Sequence, residues 1–282
     1  MTFDSEQPMR ITKKYFNIAP CHVVETAIEM KANSMVALDF PIRKIKDPVE
    51  REREFRKKLG YNVSWAIETA KLRKELCPNI DLFIPVQAYN LEQFDEFYAK
   101  IRGVDFDGFS LPVRNMSMLD IAAFLFKMHT WGIRKVHILG STSLPVIIVC
   151  AYMSKRFFDF VSFDATTWRA SAQYGVFLQP SDLSSKKLNK VRSCGSGHKC
   201  HCSACKGKTL CQIAALGRKE TMTILMTHNY LAIENLCKEF EKEPVHLDFL
   251  RKRFKNSNRR DIPKILCSMS EIEAMCSMRQ AA

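Results

Sequence analysis

Five short apolar runs, separated by segments of helical periodicity, constrain the fold of this chain more than any other feature. They are SMVALD (34–39), DLFIPVQ (81–87), FDGFSL (106–111), KVHILG (135–140) and FFDFVSFD (157–164). Between them lie helical patterns at 47–76, with a predicted break at Gly60, at 90–101 with Asn90 as cap, at 117–132 stopped by Gly132, and at 144–156. Such a β-α-β-α order with continuous apolar strands predicts a parallel sheet covered by helices. No Gly-rich phosphate loop follows any run, which removes the best sign of a dinucleotide or P-loop fold. The expectation is an α/β chain of the (β/α)8 TIM-barrel type. Active residues of a barrel sit where strands end. Here those positions hold Asp39, Gln87, Ser110, Leu139–Gly140 and Asp164.

Composition narrows the setting. The chain has 282 residues, 46% hydrophobic, enough for a sizeable core. No run of about 18 apolar residues is present, so no membrane partner is expected. The N-terminus lacks the basic and apolar regions of a signal peptide, so a cytoplasmic location is expected, in the cell or a host. Eleven cysteines, an odd number in such a compartment, argue for thiols and metal over a disulfide framework. A net charge of +13 suits a polyanionic partner, most commonly nucleic acid. Basic runs at 185–192, 199–208 and 251–260 are the candidate phosphate contacts.

After Asp164 the pattern changes, and 179–211 is rich in Ser, Lys, Gly and Cys. It contains a C-x-C-x2-C run, Cys200, Cys202 and Cys205, followed after 22 residues by His228. Thiolates and imidazole are the ligands Zn2+ prefers, and three cysteines within six residues can wrap one face of an ion. A histidine on a following helix can close the tetrahedron, and four protein ligands make the site structural. Cys194, His198, His201 and Cys211 are rival ligands. Helical segments are predicted at 212–227, 229–242 and 246–255, the last running into a basic stretch at 252–261.

Segment 200–236, CHCSACKGKTLCQIAALGRKETMTILMTHNYLAIENL, resembles the zinc module of the tRNA-guanine transglycosylase superfamily, where a C-x-C-x2-C run precedes a helix bearing His-Asn. Upstream, 16–41 is similar to the stretch leading into an Asp-bearing strand of that family. FIPVQ (83–87) resembles its strand with a substrate-reading Gln, FDGF (106–109) its F-D-G-[FY] strand, and ILGST (138–142) its M-G-[VT]-G turn. The likeness spans roughly 1–240. It departs where the D-S-G-G-[FY]-Q motif is reduced to Phe3-Asp4-Ser5-Glu6-Gln7 and where Asp164-Ala165-Thr166-Thr167-Trp168-Arg169 replaces D-C-V-x-P-T-R. The family's short Gly-rich loop is SLPVRN (110–115) here. These departures are closer to the branch that inserts 7-deazaguanine derivatives into DNA in bacteria and phages.

The resemblance implies base exchange through a covalent carboxylate–sugar intermediate. It selects Cys200, Cys202, Cys205 and His228 as the zinc ligands. Asp164 is the expected nucleophile because it ends the last strand, where barrel sites form; Asp159, which matches the family's spacing from the Gly turn, is the alternative, and the match to the D-S-G-G motif makes Asp4 the general acid/base. Asp39 and Gln87 would read the guanine edge, with Ser110 and Gly140 also lining the substrate and Phe109 and Trp168 available to stack on it. DNA is the expected polynucleotide and tRNA the alternative, in a bacterium or a phage-infected host, with a 7-deazaguanine base as second substrate. A non-catalytic zinc-bearing nucleic-acid-binding subunit is the reading from another class. The expected division is a barrel-type region at 1–178, a zinc-binding subdomain at 179–245 and a basic helical tail at 246–282. Counted back from 157–164, strands 1 and 2 of a barrel have no residues to build them. A homodimer or partner subunit is therefore expected to complete the barrel.

Overall fold

A computed structural model describes residues 18–114, 116–190 and 200–280. They fall into two compact units, one of residues up to 115, 123–139 and 157–162, the other of 116–122, 140–156 and 163 onward.

The predicted alternation is present. In order come α1 (Pro20–Glu29), β1 (Ser34–Val36), α2 (Pro48–Leu76), β2 (Asp81–Pro85), α3 (Leu91–Ile101), β3 (Gly108–Pro112), α4 (Met118–Thr130), β4 (Lys135–Leu139), α5 (Leu144–Phe157) and β5 (Phe160–Asp164). The strands form one sheet in the order β1-β2-β3-β4-β5. β1 to β4 pair in parallel. The amides of Asp159 and Phe160 reach Arg134 O while that of Gly140 reaches Asp164 O, so β5 advances in step with β4. Sequential order is the winding of a barrel; a doubly wound sheet reverses direction midway. Among the described residues the sheet is a five-stranded parallel half-barrel, short of the eight-stranded closure.

Strand alternation gives the sheet two different faces. Leu82, Ile84, Phe109, Leu111, Val136 and Ile138 are essentially inaccessible and form its apolar face. Phe109 meets Phe94, Tyr98, Phe106 and Trp131 there, so it is a core residue rather than a platform for a base. The opposite face carries Asp81, Phe83, Gln87, Ser110, Lys135, His137, Phe160 and Ser162. Its identity is fixed by contacts across it: Lys135 to Asp81 at 2.6 Å, His137 Nδ1 to Ser162 Oγ at 2.8 Å, and Phe83 against both His137 and Phe160. A closed barrel fills this side with branched aliphatic layers. The polar set found here, with Phe160 exposed, suits a face that meets a ligand or water.

Local chemistry explains the elements. Asn90 caps α3, its Oδ1 accepting from Gln93 N–H at 2.9 Å. Gly132 ends α4 at φ +80°, a conformation cheap only for glycine. Gly108 sits so close to β4 that a Cβ would lie 2.3 Å from Lys135 O. Its neighbour Asp107 accepts from Leu82 N–H at 2.8 Å and from Arg73 at 3.1 Å, so the FDGF motif serves strand packing.

The predicted break at Gly60 is absent: α2 runs unbroken from Pro48 to Leu76. A lone glycine lowers helix propensity without stopping a helix whose other residues are packed. A Cβ at position 60 would meet open space. Gly60→Ala should therefore stabilise the chain by about 0.5–1 kcal/mol, read as a higher urea midpoint with an unchanged slope.

In the second unit α6 (Thr167–Gln173) leads into a hairpin of β6 (Val176–Leu178) and β7 (Ser185–Lys187), which is antiparallel. The remaining helices are α7 (Leu210–Ala214), α8 (Arg218–Lys242), α9 (Leu247–Arg253) and α10 (Ile262–Gln280). The predicted segments 212–227 and 229–242 are thus a short α7 and one continuous α8. His228 and Asn229 lie inside α8, where both are fully buried.

Candidate metal centre and strand-end groups

The loop after the hairpin folds back on itself around three thiols. Gly207 N–H donates to Cys200 O and Lys206 N–H to Cys202 O, each at 2.9 Å, while Cys205 N–H points at Cys202 Sγ at 3.4 Å. Lys206 and Gly207 take positive φ, 49° and 77°, which reverses the chain tightly enough to gather the cysteines. Thr209 then caps α7 in a reciprocal box with Gln212.

His228 Nδ1 stands 3.4 Å from Cys200 Sγ, 3.4 Å from Cys202 Sγ and 3.5 Å from Cys205 Sγ. All four ligand atoms lie within 4.8 Å of one another. A tetrahedral ion with Zn–S near 2.3 Å and Zn–N near 2.0–2.1 Å requires an S···N edge of about 3.5–3.6 Å. One nitrogen equidistant from three sulfurs, at that edge length, is the geometry of a four-ligand cation site. Among the described residues it is the group of His, Cys, Asp or Glu so arranged. His201 and Cys211 stand outside it, while Cys194 and His198 lie outside the described residues.

The rest of the second unit holds the histidine in place. His228 Nε2 is 2.8 Å from Leu178 O, so the Nε2–H tautomer leaves Nδ1 for the metal. Phe177 stacks on the imidazole, centroids 3.8 Å apart. Asn229 stitches α8 to β6, accepting from Leu178 N–H at 2.9 Å and donating to Val176 O at 2.9 Å and to Trp168 O at 3.3 Å. Trp168 packs edge-on against Tyr230. Burial pushes the Cys200 and Cys205 thiols up, and at Cys205 the neighbouring sulfurs add to the rise. Burial acts the same way on Cys202, but hydrogen bonds from Cys205 N–H and the adjacent thiols outweigh it and hold Cys202 below the ordinary thiol value. A divalent cation is what lets three crowded sulfurs ionise together.

The strand ends carry the other candidates. Asp39 lies beyond β1 and Gln87 beyond β2, and the two meet: Gln87 Nε2 donates to Asp39 Oδ2 at 2.5 Å, and Gln87 Oε1 accepts from Ile42 N–H at 3.0 Å. Gln87, 4% exposed, therefore orients Asp39 and its loop instead of offering a whole amide to a base. The loop is clamped further. Asn62 accepts from Phe40 N–H and donates to Phe40 O, the buried Lys58 ammonium reaches Pro41 O, and Tyr89 OH donates to Arg43 O at 2.6 Å. These bonds fix the loop after β1 and the Asp39 carboxylate it carries. Nothing in the sequence marked Lys58 or Asn62, two buried polar residues of α2.

Ser110 is in the middle of β3, not at its end, and is fully buried, with no hydrogen-bond partner for its hydroxyl among the described residues. Gly140 follows β4 at φ +84°, and its N–H is shared by Asp164 O at 3.0 Å and Asp164 Oδ1 at 2.9 Å. Gly140 thus holds the Asp164 carboxylate and does not present its N–H to a substrate. Thr142, two residues on, has a buried hydroxyl without a partner among the described residues, and nothing in the sequence marked it for a site. Asp164 is the last residue of β5, whereas Asp159 precedes that strand. Asp4 lies outside the described residues.

No protein-family model matches the chain, and neither does any curated protein. Among the described residues no helix is long and apolar enough to cross a membrane.

Proposed function

We propose that this chain is the zinc-stapled catalytic part of a guanine transglycosylase that exchanges guanine in DNA for a 7-deazaguanine derivative. The observation that carries the reading is the pairing of Asp164 with Gly140 at the carboxyl end of a parallel strand. The Gly140 N–H fixes one oxygen of this carboxylate, and a carboxylate held at a strand end supports the reading of a nucleophile for the sugar carbon. Asp39, aimed by Gln87 within a clamped loop, supplies acceptors for the N1–H and N2–H2 edge of guanine. Zinc on Cys200, Cys202, Cys205 and His228 would cross-link the loop to α8 and leave no open position for chemistry.

In the proposed sequence Asp164 displaces guanine and forms an ester with the sugar C1′. The incoming 7-deazaguanine then displaces the carboxylate, restoring an N-glycosidic bond. Asp4 is the proposed carrier of the proton that leaves with one base and arrives with the other. A base in a duplex must leave the stack first. The net charge of +13 supports a polyanionic substrate. Completion of the barrel by a second copy or a partner subunit belongs to the same proposal.

A non-catalytic zinc-bearing nucleic-acid-binding subunit is the second reading, favoured by one observation: both ends of the Gln87 amide are already engaged within the chain. Mass spectrometry of nucleosides from cells with and without the gene separates the readings. Modified DNA is the expected result, modified tRNA indicates the tRNA enzyme, and unmodified pools of both indicate the binding subunit.

A further inference from the structure

The turn joining β6 to β7 and the segment linking α9 to α10 enclose a hollow of about 280 Å³ within the second unit. Its lining is mostly polar, with Ser, Asn and Gln side chains, the cations Lys186 and Arg253 and one carboxylate, Asp182. Gln179 is 8% exposed and its Nε2 has no partner among the described residues, a costly arrangement for a buried amide unless something else fills it. The rest of the turn is well made, with Gln179 N–H on Ser184 O at 2.9 Å and Leu183 N–H on Gln179 O at 2.8 Å, so the side chain's isolation does not come from a loose backbone. The carboxylate on the wall, Asp182, is already spent: one oxygen accepts from Ser184 N–H at 2.9 Å and the other from the Ser257 hydroxyl at 2.5 Å. Arg253 is likewise committed, to Glu239. Lys186 lines the same hollow, and its ammonium makes no ion pair among the described residues. A neighbouring hollow of about 390 Å³ shares Phe254 and Ser257 and adds Lys255 and Arg260, which are also without ion pairs there.

We propose that this hollow receives a phosphoryl group, held by the Gln179 amide and the Lys186 ammonium. A buried amide donor without a partner, beside an ammonium without an ion pair, selects an acceptor-rich anion, and an open basic rim suits one carried on a longer chain. The favoured source is therefore a backbone phosphate of the polynucleotide. That choice rests on the nucleic-acid part of the proposed function but not on its chemistry. A small phosphorylated compound is the other source of the same group.

The test uses the full chain with its zinc, labelled single-stranded and duplex DNA and RNA read by fluorescence anisotropy across a salt series, and inorganic phosphate and a mononucleotide read by 31P line broadening. The variants are Gln179→Leu and Lys186→Ala. Gln179→Leu removes a buried unpaired donor, so it should melt no lower than the parent while binding about tenfold more weakly. Lys186→Ala should lower affinity and reduce the salt slope by roughly one phosphate. Weaker polynucleotide binding in both variants supports the proposal with the backbone as source. Unchanged polynucleotide binding with lost phosphate broadening supports it with a small ligand as source. Parent-like behaviour of both variants towards every probe, or no binding of any probe by the parent, overturns it. Guanine exchange is scored separately, so failed chemistry and a failed pocket give different results.

Discussion

Stripping the metal is expected to cost the chain on the order of 4 kcal/mol or more, because four bonds to one ion would tie the loop at 200–208 to α8. Three thiols and an imidazole meet at the edge length of a zinc tetrahedron, and the hydrophobic residues around them, Phe177, Leu210, Ile213 and Leu225, are buried against that cluster. Without the ion, burial keeps the Cys200 and Cys205 thiols protonated, and the bonds that would tie the loop to His228 are lost. Purified protein should hold one zinc per chain by elemental analysis, and a strong chelator should lower the melting temperature by roughly 7–10 °C or more. His228→Ala and Cys205→Ser should each lose the metal. Cys211→Ser should keep it, which separates the rival ligand from the real set. Full stability in chelator, with no zinc found, would remove the metal centre.

Asp164→Asn is expected to abolish base exchange, by at least about a thousandfold, while the fold survives. The amide oxygen can still accept from Gly140 N–H, so the local hydrogen bond is retained and only nucleophilicity is lost. Asp159→Asn, ahead of β5, should stay within a few fold of the parent. A covalent adduct between protein and polynucleotide, resistant to denaturing electrophoresis, should form with the parent and not with Asp164→Asn. An adduct lost instead with Asp159→Asn would move the nucleophile to that residue.

How far these features could be read from sequence depended on the kind of interaction. Apolar periodicity exposed the five strands and most helices, since burial on one face writes a pattern into the chain. The Gly60 break failed because propensity is a weak term in a helix already packed at Phe55, Leu59 and Ala66. The β6–β7 hairpin was hidden because half of it, Ser185–Lys187, is exposed and polar. The metal ligands were legible from spacing and resemblance, but the acceptor behind His228 was not. It is the carbonyl of Leu178, and a backbone acceptor leaves no mark on residue type. The engagement of Gln87 with both Asp39 and Ile42 was unreadable for the same reason: a clamp of one side chain on a distant loop is a tertiary fact.

The polar face of the sheet extends the lesson. Ser110, His137 and Ser162 stand at strand positions that a closed barrel would fill with aliphatic side chains, and sequence patterning had placed only Ser110 near a site. Parallel strands bind ligands at their carboxyl ends, and the clamped loop after β1 and the Gly140–Asp164 pair both lie at such ends.

The most direct measurement is incorporation of radiolabelled guanine into acid-precipitable DNA and tRNA by zinc-loaded protein, supplemented with its partner if one copurifies. Counts entering DNA, chased out by a 7-deazaguanine and absent with Asp164→Asn, are the expected result. No counts in either polynucleotide, from protein shown to bind nucleic acid and to hold its zinc, would contradict base exchange and leave a binding subunit in its place.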